Sequence, residues 1–158
     1  MTTLMTARPD RTKTPKALSI TLAGLGVISA TVALNVAFGG LRTLGLQGPT
    51  DFVRIANEDA FLIRDSHAHY YGGVYLALGL FLVYASTNVA RFRQALYVIF
   101  AMIFAGGVAR LTQFEPGVTF GHDLLVSTAI ELVGVPLLAL WVARSTRSDH
   151  LVVEDIFA

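Results

Sequence analysis

The sequence predicts an all-α polytopic membrane protein: a four-transmembrane-helix bundle with a short amphipathic segment between helices 1 and 2. Three observations carry this. With 54% hydrophobic and 15% charged residues and a mean hydropathy of +0.60, the chain is too apolar for a soluble domain of 158 residues. Four apolar runs each approach the about 20 residues that cross a hydrocarbon core of about 30 Å, and with short connections they nearly fill the chain. Lysine and arginine gather on alternate connections, as an even number of spans requires.

Residues 1–16 carry Arg8, Arg11, Lys13 and Lys16 against Asp10 and hold few large apolar side chains. Such a segment cannot bury enough surface to fold alone, and it reads as a disordered basic tail. Residues 17–38 form a 22-residue run without a charge, in which Ala23, Gly24, Gly26, Ser29, Ala30 and Ala33 would admit a close neighbour. The run exceeds the apolar stretch of a cleaved leader and no small-residue cleavage site follows, so it is expected to be retained as the first span.

Residues 41–66 are the one long connection, broken by Gly45, Gly48 and Pro49 before Thr50 or Asp51 can cap a short helix. Phe52, Ile55, Ala56, Ala60 and Ile63 recur at helical spacing with charges between them, which predicts an amphipathic helix at the interface. A solvated connector explains the same residues as well. The second span is expected at about 68–86, with Gly72, Gly73 and Gly79 as close-approach positions and Gly73 and Ala77 as a small-xxx-small pair. A basic turn through Arg91 and Arg93 leads to the third span, about 94–111, which carries Gly106 and Gly107 and has Arg110 near its far end. After a turn through Pro116, Gly117 and Gly121, the fourth span covers about 124–142. Glu131 lies close to its middle, and Pro136 should kink it and free a carbonyl near Leu132. Residues 17–142 thus make the transmembrane domain, and residues 143–158 a polar tail.

The basic N-terminal tail, the Arg91/Arg93 turn and the Arg144/Arg147 flank fall on one side of four spans. The positive-inside rule makes that side the cytoplasm, with both termini there, and places the chain in the inner membrane. The absence of cysteine excludes disulfide, thioether and thiolate chemistry. A net charge of +1 gives no attraction to nucleic acid.

On this topology Arg64, Asp65, His67, His69, Tyr70, Arg110, His122 and Asp123 gather at the outer mouth, with Glu131 below them. Glu131 lies roughly 12 Å along the helix from Asp123 and so inside the hydrocarbon, where an ionised carboxylate costs about 2.5–3.5 kcal/mol. It should face inward and either pair or stay protonated. Arg110, near the matching end of the preceding span, is the expected partner in a buried ion pair, and Asn35 offers a further hydrogen bond. His67, His69 and His122 with Asp65, Asp123 or Glu131 have the donor types of a metal site. On a helix, however, His67 and His69 point about 200° apart, whereas Asp65 and His69 share a face. Interfacial anchoring explains the histidines and tyrosines better, and neither a metal nor a cofactor is expected.

The motif Tyr71-Gly72-Gly73 with Gly79, then Gly106-Gly107-Val108-Ala109-Arg110, Gly117, and Glu131 on the last helix resemble the bacterial domain-of-unknown-function family numbered four-three-four-five. The resemblance covers most of residues 17–142 and implies a four-helix membrane fold, with Gly72, Gly73, Gly106, Arg110 and Glu131 at recurring positions. It brings no activity with it. Three function classes stay open. The first is a binding or accessory protein with an outward-facing polar cleft, formed by Arg64, Asp65, His69, Tyr70, Arg110, His122 and Glu131. Such a cleft would hold a lipid, quinone or small amphiphile, or the chain would serve a larger membrane complex. The second is an enzyme using Glu131 as general acid or base, and the third is a small transporter built as a homodimer, although no inverted repeat is visible.

Overall fold

The computed structural model describes residues 15–43, 57–112 and 116–146, and among these every regular element is helical. Four helical stretches are long and apolar enough to cross a membrane: Lys16–Gly39, Glu58–Ser86, Arg93–Leu111 and Leu124–Ser145. The first three are α1, α2 and α3. A one-turn helix α4 (Pro116–Thr119) precedes the fourth, which is built from α5 (His122–Ala129), a π-helical turn (Ile130–Gly134) and α6 (Val135–Ser145). The expectations for the N-terminal tail, for Gly45 to Ala56 and for the tail beyond Thr146 lie outside the described residues.

Large apolar side chains stand exposed along these helices, among them Ile20, Ile28 and Phe38 on α1, Leu80 on α2, Val98 and Met102 on α3 and Leu137 on α6. In water so much exposed apolar surface would drive association, whereas against lipid tails it costs nothing.

The chain divides into two compact units, Ala17–Phe92 and the residues from Arg93 onward. In the first, α1 and α2 run antiparallel with their backbones in close contact. A Cβ built on Gly26 would lie 2.7 Å from the Gly79 carbonyl oxygen, and one on Gly79 would lie 2.6 Å from the Ala30 nitrogen. One on Gly72 would strike the backbone of Ala37. Gly72 and Gly79 are seven residues apart, two turns of helix, and so share a face. Gly73 does not. It is turned about 100° away, is exposed, and a Cβ there would meet nothing within 4 Å, so it takes no part in the contact between α1 and α2.

The second helix starts ten residues earlier than the span read from hydropathy, so Ala60 and Ile63 of the expected amphipathic helix lie in the first turns of α2. Asn57 is its cap: the side-chain oxygen accepts from the Ala60 N–H at 3.0 Å, and Glu58 and Asp59 in the first turn complement the helix dipole. Phe61 is buried while Leu62 and Ile63 are exposed. At the other end the Asn88 side chain accepts from the Arg91 N–H at 3.1 Å, and Phe92 packs edge-on to Phe81 and against Tyr84.

In the second unit α3 packs along the π turn and α6. Leu96, Ile99, Phe100 and Gly107 form the buried stripe of α3, and Val135, Leu138 and Val142 that of α6, each at helical spacing. Ahead of Pro136, where a kink is expected, the backbone leaves the α-helical pattern. Proline has no N–H to give the carbonyl one turn back, and the ladder widens so that the Val135 N–H donates to the Ile130 carbonyl, five residues earlier. Glu131 lies within this wide turn.

Candidate functional site

Arg110, in the last turn of α3, meets Glu131 edge to edge. Its Nε–H donates to Oε2 at 2.8 Å and an Nη2–H to Oε1 at 3.1 Å. Both carboxylate oxygens are engaged through the side edge of the guanidinium, the two-point geometry that makes arginine–carboxylate contacts strong. The Glu131 side chain is 15% exposed and that of Arg110 39%. The carboxylate is thus the inner member, and the two bonds to it engage two of the five guanidinium hydrogens, leaving those of Nη1 and one of Nη2 outside this contact.

Two local features set this geometry. Gly107, one turn before Arg110, lies against the π turn, and a Cβ built on it would stand 2.8 Å from the Cβ of Glu131 and 3.0 Å from a Leu132 methyl. Any side chain there would push the helices apart and lengthen the arginine's reach. Gly106 beside it is half-buried. The π turn supplies the second feature, since it carries Glu131 on an irregular stretch of an otherwise α-helical span, a form of backbone that recurs at functional sites.

The other expected site residues on α2 belong to the first unit. Asp65 and His69 meet across one turn, with Nε2 3.5 Å from Oδ2. His69 Nδ1–H donates to the Ala37 carbonyl at 2.7 Å, and the Leu41 N–H donates to Asp65 Oδ1 at 2.6 Å. A carbonyl only accepts, so the ring carries a hydrogen on Nδ1. Between these two bonds Gly40 turns with φ of 60°, the left-handed conformation in which helices often stop. Asp65 and His69 therefore tie down the end of α1: His69 satisfies a carbonyl of its last turn and Asp65 the N–H of the second residue beyond it. The Nδ1 side of the ring is thus engaged by the backbone of α1, while Nε2 faces the Asp65 carboxylate.

His67 Nδ1 is bonded to the Ile63 carbonyl at 2.7 Å and its side chain is exposed, pointing away from His69. Arg64 and Tyr70 are exposed, and Tyr70 stacks edge-on with Tyr71 at a centroid distance of 5.6 Å. His122 begins α5, and Asp123 follows it; their side chains lie outside the described residues. Among the described residues no three histidine, aspartate or glutamate side chains come together in a way that could hold a metal ion. The sequence reading missed Gly40 and the backbone groups of Ala37 and Leu41. The paired Gly39-Gly40 at the end of the first apolar run was the available signal.

The family model described as "Domain of unknown function (DUF4345)" matches residues 17–142, which takes in all four long helices and both polar arrangements. The chain belongs to this family. Within the matched region lie Gly72, Gly107, Arg110 and Glu131, so the close helix contacts and the ion pair are part of the family domain. No curated protein and no solved structure matches the chain.

Proposed function

We propose that the protein is a multi-pass inner-membrane binding protein that holds the head of a lipid, quinone or small amphiphile at the Arg110–Glu131 pair. Both termini would be cytoplasmic and the site would open toward the outer face. The observation that supports this reading is the half-open state of the arginine. Its side edge is fixed by Glu131 while its outer edge retains donors on a side chain that is 39% exposed. A structural ion pair needs only the edge that Glu131 takes, whereas a ligand head that supplies acceptors would use the other hydrogens of a partly exposed guanidinium. The apolar helix surfaces beside it suit the ligand's tail.

The acid–base reading of Glu131 is less well supported, because both of its oxygens already accept from Arg110. Extraction and mass spectrometry of material carried through purification test the binding reading. The parent should retain about one equivalent of a defined amphiphile, and the Arg110→Met/Glu131→Leu double variant, if folded, should lose it. Equal retention of unselected lipid by both proteins would overturn the proposal.

A further inference from the structure

We infer that the head group taken at this site is an uncharged oxygen acceptor, of the carbonyl or ester class, and not an anion. The inference rests on the binding reading above and adds to it the ligand's charge. Arginine has donors only, so whatever meets its outer edge must bring acceptor oxygens. The Nη1 and Nη2 hydrogens of that edge run parallel and suit one oxygen shared between them, or two oxygens side by side.

Charge then separates the candidates. Glu131 already cancels the guanidinium with two-point contact. Two other fixed cations of this unit, Arg93 and Arg144, lie at the opposite end of their helices, roughly 25 Å from Arg110 and 20 Å from Glu131 by residue count. A carboxylate or phosphate entering here would give up its hydration for a pair of no net charge. In surroundings of low dielectric that leaves the ligand's charge uncompensated. A neutral carbonyl loses far less on leaving water and keeps the full benefit of a charged donor, whose hydrogen bonds are about twice as strong as neutral ones. Glu131 thus acts as a charge filter: it aims the arginine and removes its preference for anions.

Two probes with the same decyl tail test this in lipid nanodiscs, one a decyl-substituted benzoquinone and the other decanoate at pH 8, with empty nanodiscs as the partition control. The parent should bind the quinone saturably and at least about tenfold tighter than decanoate, a difference of about 1.4 kcal/mol. Glu131→Gln, which keeps the side chain's shape and uncovers the positive charge, should reverse the order. Tighter binding of decanoate by the parent would overturn the inference while leaving the binding reading intact. Saturable binding of neither probe above the empty discs would overturn both. If Glu131→Gln proves unfolded by its thermal transition, the parent's own ratio decides the question. Unchanged quinone binding in a folded Arg110→Met/Glu131→Leu variant would move the site elsewhere and overturn the inference.

Discussion

The backbone of Gly107 lies against the side-chain root of Glu131, so near that one added methyl group would fall 2.8 Å from the Glu131 Cβ. The ion pair is therefore supported from below by the absence of a side chain. Gly107→Ala should destabilise the protein by about 1–3 kcal/mol, the usual cost of overpacking a tight contact. Gly73→Ala, on an open helix face, should be neutral or slightly stabilising because alanine favours helix. Thermal unfolding in one detergent compares the two, and equal effects would contradict the packing described.

Arg110 and Glu131 should behave as a unit. Removing one member of a buried pair costs roughly 3–5 kcal/mol, and here the lower end is expected because the arginine is partly exposed. Arg110→Met and Glu131→Leu should each lower stability, and the double variant should recover much of the loss. A double-mutant cycle measures the coupling directly. Additive effects would mean that the contact has no energetic role.

At the end of α1, Asp65→Ala removes the acceptor of the Leu41 N–H and His69→Ala leaves the Ala37 carbonyl without its donor. Each should cost about 1–3 kcal/mol. Gly40→Ala should cost more than 1 kcal/mol from its positive φ, and the added methyl would also strike Asp65. The Gly40→Ala penalty should fall in an Asp65→Ala background, though not to zero, since the backbone strain persists. Hydrogen exchange of the last turn of α1 locates the effect.

Single cysteines report the proposed orientation. One at Gly117, exposed in α4, should react with an impermeant maleimide on intact cells, and one at Ala90, exposed in the turn after α2, only after permeabilisation. The reverse pattern would invert the topology and place the Arg110 side of the protein in the cytoplasm.

Much of the architecture was legible because membrane insertion writes itself in long apolar runs, and four of these became four long helices. The start of α2 was not. Asn57, Glu58 and Asp59 look like connector residues in a hydropathy profile, yet they are a cap and an acidic first turn, a signal read only when polar residues are weighed by position. The contact between Arg110 and Glu131 could be foreseen from two opposite charges near matching depths on consecutive spans, and that of Asp65 with His69 from their spacing on one helix face. What His69 and Asp65 do for α1 could not, since their partners are backbone groups that any sequence supplies. Gly72 and Gly73 are adjacent and chemically identical, and only the rotation of the helix decides which one touches a neighbour.

The wide turn at Ile130–Gly134 has a consequence for helical phase. It accommodates one residue more than a regular turn would, so α5 and α6 are out of register by about 100° about their common axis. Val135, Leu138 and Val142 set the face that α6 turns inward. Deleting one residue, such as Val133, would close the turn into ordinary helix and rotate everything before it, Glu131 included, away from Arg110. The chain would keep its composition, its hydropathy and its four apolar runs, and lose the alignment of the one carboxylate within its last span.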